Sequence, residues 1–301
     1  MKTLRTLGAA GLAWWNDNAL RLGASVAFYT LFAIAPILIV AIAIAGTLFG
    51  AEAVRGEIVG QIDGLVGTEG GKAVQALLQG ASSRQGSVIA TAIGAATFVL
   101  AACAAFLELQ AAFNAIWRVA PSPDGQLKAF LVDRLRSFGL VVAIGFLLMV
   151  SLAMSAAIAA LGAWLGQLGP DVPMVLPALN LVLSLFITAA LFAMLFKFLP
   201  DVELSWSDVL TGAVVTAVLF AIGKEVIGLY LGQSTTASSY GAAGSVVVLL
   251  LWVYYSSQIV LVGAEFTRLR ADRVRGPVPA ESFAEVVDAP PGSAEARAPV
   301  A

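Results

Sequence analysis

The sequence contains no histidine and a single cysteine, and each shortage excludes a class of chemistry. Without histidine the chain lacks the commonest general base and the usual zinc ligand. Cys103 alone cannot form an internal disulfide or a site with several cysteine ligands. No Walker-type phosphate loop, zinc-ligand spacing or GxSxG nucleophile turn occurs either. We therefore expect no catalytic residue, no metal and no cofactor.

Charged residues are also scarce. They make up 12% of the 301 residues, whereas soluble domains carry about 25%. Hydrophobic residues account for 59%, and the mean hydropathy is +0.91. This composition is typical of an integral membrane protein. The formal net charge is -2, whereas proteins that bind nucleic acid usually carry a positively charged surface. Nucleic acid is therefore not an expected partner.

The apolar residues fall into six blocks, each long enough to cross a bilayer as a helix, which takes about 20 residues. The sequence therefore predicts an all-α fold, an integral membrane bundle of six transmembrane helices within a domain covering residues 24–268. The six predicted spans cover approximately residues 24–50, 87–113, 138–166, 175–199, 208–231 and 244–267.

Lysine and arginine are distributed unequally between the two sides of this predicted bundle. With the N-terminus inside, 13 of the 17 basic residues flank the inner ends of the spans and 3 flank the outer ends, while Lys224 lies within a span. Basic residues accumulate on the cytoplasmic side of membrane proteins. The pattern therefore predicts that both termini are cytoplasmic.

Three segments lie outside the predicted spans. Residues 1–23 form a cytoplasmic or interfacial segment, in which residues 11–22 combine Trp14 and Trp15 with charges and predict an amphipathic helix in the inner interface. Residues 51–85 form an outer loop whose apolar residues recur at helical spacing, which predicts two short periplasmic helices. Residues 269–301 turn polar and rich in proline and alanine, which predicts a disordered cytoplasmic tail.

Polar side chains within three of the spans fall at the same inner depth. Arg21 and Tyr29 share a face of the first span, Glu108 and Asn114 lie near the inner end of the second, and Gln258 and Glu265 share a face of the sixth. A charge at the centre of a span costs about 2.5–3.5 kcal/mol on insertion scales. One interpretation is a polar cavity that opens to the cytoplasm. The alternative is a set of interhelical bonds, such as Arg21 with Glu108 or Glu265, that only fixes the bundle.

Lys224 and Glu225 are adjacent within the fifth span. Neighbouring residues of a helix do not face one another, so we expect them to be poor partners for each other. We expect each to point towards another helix or a wet cavity, as the outer part of a polar path. Alternatively, the long side chain of Lys224 reaches the outer head groups.

Four stretches resemble the YihY/BrkB family of bacterial inner-membrane proteins. The resemblance covers about residues 10–270, and its last stretch is long and specific. It implies six spans with both termini cytoplasmic. The stretches are ASVAFYTLFAIAPILIV (24–40), LQAAFNAIWRV (109–119), LPDVELSWSDVLTGA (199–213) and SSYGAAGSVVVLLLWVYYSSQIVLVGAEFTR (238–268).

The family has carried two functional labels, ribonuclease BN and a virulence factor for serum resistance. Metal-assisted RNA cleavage needs carboxylates or histidines in a basic, water-accessible cleft, which this composition does not favour. The two levels of polar residues in one bundle favour a transporter or flippase-like carrier of an envelope lipid or amphiphile, with membrane lipids as partners, and the resemblance is compatible with lipid transport. The alternatives are a non-transporting scaffold that docks envelope proteins through residues 51–85 and its tail, and a membrane-bound enzyme. A homo-oligomer is compatible with each.

Overall fold

The structure is a computed structural model, and it describes part of the chain. The described residues are 2–50, 52, 54–56, 58–60, 71–72, 74–76, 78–79, 88–122, 135–136, 139, 175–233 and 244–287.

The described chain is mostly helical, as the sequence predicts, with one small sheet in addition. The two strands pair antiparallel, with Ala120 opposite Glu285. In chain order the elements are α1 (Lys2–Asn16), α2 (Ala19–Phe49), α3 (Val88–Trp117), β1 (Val119–Pro121), α4 (Val175–Phe198), α5 (Trp206–Gln233), α6 (Gly244–Arg275) and β2 (Ala284–Val286).

Three helical segments of the described chain are long and apolar enough to cross a membrane, namely Leu181–Phe198, Trp206–Tyr230 and Gly244–Arg275. The fold is therefore that of a helical membrane protein. Helices α2 to α6 lie where five of the predicted spans lie. The predicted span at 138–166 falls outside the described residues except for Gly139, so the count of six stays a prediction.

Helix α6 is the centre of the bundle. It packs against α1, α2, α3 and α5, while α2 also packs on α3 and α4 on α5. The contact of α5 with α6 is reciprocal: Gly212 of α5 lies against Thr267 of α6, and Gly263 of α6 lies against Thr216 of α5. Each threonine hydroxyl donates to the carbonyl oxygen of the glycine four residues earlier in its own helix. The missing glycine side chains let the two backbones approach closely.

Buried apolar residues form two clusters. One surrounds Phe113, Phe196 and Leu261 at the end of the bundle where β1 and β2 lie. The other lies towards the opposite end, where Val54 and Val74 join residues of α2 and α6. Val54 and Val74 belong to the predicted outer loop, whose described residues in 52–60 and 71–79 are helical.

The N-terminal segment differs from the single interfacial helix predicted for residues 11–22. Helix α1 ends at Asn16, and α2 already begins at Ala19. Asn18 between them has a left-handed backbone with φ 54°, a conformation that asparagine tolerates better than most residues. The chain therefore turns at Asp17 and Asn18, and α1 leaves Leu12 and Trp15 exposed.

The prediction of a disordered tail over 269–301 is wrong for residues 269–287. Helix α6 continues to Arg275, and residues 276–287, which we name the strap, fold back across the end of the bundle. Ala280 bridges to Val202, and β2 pairs with β1. The strap is ordered because its backbone is hydrogen-bonded and Phe283 is buried. Residues 288–301 lie outside the described residues.

Candidate functional site

The end of the bundle that carries β1, β2 and the strap holds most of the buried charge, and we name it the polar end. Three buried aspartates, Asp17, Asp201 and Asp208, lie there. Each is ion-paired to at least one arginine. Buried aspartate is rare unless it is paired. The polar end is therefore described below around these three aspartates and their ion pairs.

Asp201 lies in the connection between α4 and α5 and is 1% exposed. Asn114 of α3 donates from Nδ2 to its carboxylate at 2.7 Å, and the Asp201 amide donates to Asn114 Oδ1 at 3.0 Å. Gln110, one turn earlier on α3, donates to Oδ1 at 3.2 Å. Arg136 adds an ion pair at 3.0 Å. The aspartate thereby ties α3 to the α4–α5 connection.

Arg136 connects this aspartate to the strap. Its Nη2 donates to both carboxylate oxygens of Glu281, at 2.6 and 2.7 Å. The guanidinium also lies 5.5 Å from the ring centre of Phe283. The amide of Glu281 donates to the Asp201 carbonyl oxygen at 3.0 Å. Arg136 therefore links the strap to the α4–α5 connection, in addition to the strap's backbone hydrogen bonds.

Asp208 lies in the first turn of α5, where the helix dipole stabilises a negative charge. The Ser205 hydroxyl caps this turn, donating to Asp208 Oδ2 at 2.8 Å and accepting the Asp208 amide at 3.4 Å. Two arginines near the end of α6 approach the carboxylate, Arg275 at 3.4 Å and Arg270 at 3.8 Å. The start of α5 is thus joined to the end of α6.

Asp17, at the turn between α1 and α2, shares an arginine with Glu265. Arg268 Nη2 lies 3.2 Å from Asp17 Oδ2 and 2.7 Å from Glu265 Oε2. Arg118, which follows α3 and has φ 55°, lies 3.7 Å from Asp17 Oδ1. Glu265 is 0% exposed. This cluster joins α6 to the ends of α1 and α3.

A cleft of about 560 Å³ opens at the polar end. Its lining combines three cations, two carboxylates and apolar side chains. Lys197 donates to the Leu204 carbonyl oxygen at 2.6 Å and lies 5.9 Å from the ring centre of Trp206. Phe198 packs edge-on against Trp206 at 6.1 Å. The lining residues are Arg136, Lys197, Phe198, Val202, Glu203, Leu204, Ser205, Arg275 and Glu281.

Three of the residues predicted to line an inner cavity, Asn114, Glu265 and Glu108, each have a separate polar partner. Asn114 binds Asp201, and Glu265 pairs with Arg268. Glu108 accepts a hydrogen bond from the Ser25 hydroxyl. None of the eight predicted residues lines the cleft.

Gln258 accepts a hydrogen bond from Trp14 Nε1 at 3.0 Å, which joins α6 to α1. Arg21 and Tyr29 are exposed side chains of α2. The anticipated pairing of Arg21 with Glu108 or Glu265 is replaced by Ser25 and Arg268. The Ser25–Glu108 and Trp14–Gln258 bonds join two helices, as foreseen, whereas the Arg268–Glu265 pair lies within α6.

Lys224 and Glu225 contact each other, so the expectation that they are poor partners is wrong. Lys224 Nζ lies 3.5 Å from Glu225 Oε1, and the two side chains are 33% and 74% exposed. Their Cβ atoms diverge on the helix, but both side chains are long enough to bend together. Glu225 is exposed beside Val226, on the side of α5 that is apolar and open.

The residues that the sequence interpretation missed lie in the short connections and at helix ends. Asp201 belongs to the LPD stretch that follows the predicted span at 175–199. Asp208 follows Ser205 by three residues, a spacing typical of a helix N-terminus. The sequence alone could therefore have predicted the role of Asp208 at the start of α5. The pairing of Asp201 with Asn114 and Arg136 depends on tertiary structure and could not be predicted in this way.

Comparison with known proteins finds one family. The family described as "Virulence factor BrkB" matches residues 12–284. That range includes all three aspartates, the cleft and most of the strap. No solved structure matches the chain significantly.

Similar curated proteins are membrane proteins. A UPF0761 membrane protein of Rhodospirillum centenum is 30% identical over 257 residues, covering 84% of this chain and 54% of that protein. The UPF0761 membrane protein YihY of Salmonella typhimurium is 32% identical over 179 residues, covering 59% of this chain and 58% of YihY. The chain thus spans somewhat more than half the length of these relatives.

Proposed function

The chain belongs to the YihY/BrkB family of membrane proteins, and from this premise we propose that it is a multi-pass carrier of an envelope lipid or amphiphile. The cleft at the polar end would receive the head group. We propose six spans, both termini in the cytoplasm and the polar end at the cytoplasmic face of the inner membrane. The arginines in the last turn of α6, Arg273 and Arg275, support this orientation.

The mixed charge of the cleft is the observation that carries the proposal. Lys197 uses one donor on the Leu204 carbonyl oxygen, and an ammonium group has three. Glu203 is exposed, and its carboxylate has no partner among the described residues. A head group that carries both a phosphate and an amine matches this lining. The phosphate would bind Lys197 and Arg275, and the amine would bind Glu203.

The surroundings of the cleft suit an amphiphile. Phe198 and Trp206 are 42% and 51% exposed, and aromatic side chains of this kind favour the membrane interface. An apolar stripe at four-residue spacing continues along α5 from this rim, where acyl chains would lie. The exposed residues of the stripe are Leu210, Val214, Val218, Ile222 and Val226.

Lys224 and Glu225 have no part in this proposed path. Lys224 lies about 27 Å beyond Trp206 along α5 at 1.5 Å per residue, close to the thickness of a hydrocarbon core of about 30 Å. The exposure of both side chains favours the second interpretation of the sequence, in which Lys224 reaches the opposite head groups.

Lipid movement in proteoliposomes tests the proposal. We expect the protein to move a chain-labelled phosphatidylethanolamine between leaflets, and Lys197→Gln to slow this movement about tenfold, the loss of about 1.4 kcal/mol. Glu203→Gln should slow phosphatidylethanolamine but spare phosphatidylglycerol, which has no amine. Glu225→Gln is the matched control. Movement no faster than in empty vesicles would overturn the proposal.

A scaffold is the second candidate, because hydrogen bonds between separate segments already engage several polar residues that a carrier could use, namely Glu108, Asn114 and Gln258. In that case disrupting the strap or residues 51–85 would abolish the envelope phenotype, and Lys197→Gln would have no effect. The opposite result would support the carrier.

A further inference from the structure

Arg136 and Glu281 form an ion pair in the lining of the cleft. Arg136 Nη2 donates to the two carboxylate oxygens of Glu281 at 2.6 and 2.7 Å. These two side chains are 22% and 23% exposed, whereas Asp201, the other carboxylate bound to Arg136, is 1% exposed. Of the two carboxylates, Glu281 is therefore the one that a ligand in the cleft can reach and replace.

The backbone of Glu281 is held against the α4–α5 connection. Its amide donates to the Asp201 carbonyl oxygen, and the Glu203 amide donates to the Pro279 carbonyl oxygen, each at 3.0 Å. In this antiparallel pattern Glu203 is a diagonal neighbour of Glu281 on the same side of the pairing. Diagonal neighbours are typically about 7–8 Å apart, which leaves room for an amine between the two carboxylates.

A phosphate group competes well with Glu281 for this arginine. The planar fork of a guanidinium group matches phosphate oxygens, and a partly exposed ion pair is weak. Once displaced, the Glu281 carboxylate lies unpaired beside the bound phosphate, and two like charges at close range are unfavourable. An amine on the same head group removes this penalty, because it can bind Glu281 and Glu203 together.

We propose that Glu281 selects head groups that carry an amine, an inference that deepens the proposed function and rests on it. Glu281 holds Arg136 until a head-group phosphate takes its place, which adds Arg136 to the phosphate ligands Lys197 and Arg275. The head-group amine then pairs with the released carboxylate. A head group with a phosphate alone leaves Glu281 without a partner and binds more weakly.

Binding of two short-chain lipids to the protein in detergent, measured by isothermal titration calorimetry, tests this selection. Phosphatidylethanolamine carries a phosphate and an amine, and phosphatidylglycerol carries a phosphate alone. We expect Glu281→Gln to bind phosphatidylglycerol about fivefold more tightly than the unmodified protein does, because no carboxylate has to be displaced. Its affinity for phosphatidylethanolamine should change by less than about twofold, because the amine loses one partner as the phosphate gains access.

Glu285→Gln is the matched control, since it makes the same change of charge on the exposed side of β2. Both lipid affinities should stay as they are in the unmodified protein. A gain in phosphatidylglycerol binding that Glu285→Gln shares would come from net charge and would overturn the inference.

Hydrogen exchange distinguishes displacement from a purely structural role of the Arg136–Glu281 pair. Saturating phosphatidylglycerol should raise the exchange of residues 276–287 in the unmodified protein, because the strap loses its contact with Arg136. It should leave the exchange unchanged in Glu281→Gln, where that charge is already absent.

The outcomes separate this inference from the proposed function. A ratio of phosphatidylethanolamine to phosphatidylglycerol affinity that Glu281→Gln leaves unchanged would overturn the selection and leave the carrier standing. Strap exchange that the lipid does not raise in the unmodified protein would do the same. Binding of neither lipid by the unmodified protein would remove the proposed function and the selection with it.

Discussion

The two ends of the bundle differ in how their charged side chains are buried and paired. At the polar end Asp201 and Asp208 are each 1% exposed and are held by arginines from other segments. Towards the opposite end the ion pairs of the described residues are local, such as Lys224 with Glu225, whose glutamate is 74% exposed. Apolar contacts around Val54 and Val74 hold that end together.

This difference indicates which end is specialised. An exposed ion pair contributes about 0–1 kcal/mol, whereas breaking a buried pair costs about 3–5 kcal/mol. Replacing a buried ion pair by well-packed apolar residues is often neutral or stabilising. Stability alone therefore does not explain the polar end, and its charges are compatible with the proposed head-group site in the cleft.

The largest expected effect comes from removing the centre of the polar end. Asp201→Ala leaves Arg136 partly buried with one partner fewer and leaves Asn114 without its acceptor. We expect a loss of about 3–5 kcal/mol of unfolding free energy, measured by thermal unfolding in detergent. Asp201→Asn should recover part of the loss. An unchanged unfolding midpoint for Asp201→Ala would remove the contrast between the two ends.

Two glycine-to-alanine substitutions also compare the two ends of α5 and α6, and we expect an intermediate effect on the unfolding free energy. A Cβ at Gly263 would meet Thr216 of α5, whereas a Cβ at Gly228 has no heavy atom within 4 Å. Gly263→Ala should therefore cost about 1–3 kcal/mol through overpacking. Gly228→Ala should be neutral or stabilising.

The double variant Gly263→Ala with Thr216→Ala is the companion measurement, since it removes the threonine hydroxyl and methyl groups nearest to the new side chain. We expect it to regain part of the lost stability. Equal unfolding midpoints for Gly263→Ala and Gly228→Ala would contradict the close crossing of α5 and α6.

A smaller effect is expected at the strap. Glu281→Gln removes the charge that Arg136 holds at 2.6 Å and should weaken the strap by about 1 kcal/mol. Hydrogen exchange of residues 276–287 should rise while α6 stays protected. Glu285→Gln, on the exposed side of β2, is the control, and equal exchange in both variants would show that Arg136 does not hold the strap.

The smallest effect belongs to the opposite end. Lys224→Ala and Glu225→Gln should each change the unfolding free energy by less than about 1 kcal/mol, because the pair is exposed. The same thermal unfolding assay measures it. A loss as large as that of Asp201→Ala would mean that both ends depend on charge alike.

The sequence predicted the helical membrane fold well and the site only in part. Long apolar blocks determine helices through local physics, which is why α4, α5 and α6 lie where hydropathy placed them. Asn114 and Glu265, both predicted to line an inner polar cavity, each have a polar partner in the structure, Asp201 and Arg268 respectively.

The remaining features depend on contacts between segments that are distant in sequence. Asp201 meets Asn114 across 87 positions, and Arg136 meets Glu281 across 145. The polar composition of the strap predicts disorder, but the strap is ordered because its backbone pairs with β1 and Val202. Amino-acid composition does not predict backbone pairing between distant segments.

The central claim is that the cleft binds a lipid head group that carries both a phosphate and an amine. Native mass spectrometry of the purified protein, beside Lys197→Gln, Glu203→Gln and Glu225→Gln, tests it most directly. The account predicts that the unmodified protein and Glu225→Gln retain phosphatidylethanolamine selectively, and that both cleft variants lose it. Equal retention of bulk lipid by all four proteins would contradict the claim.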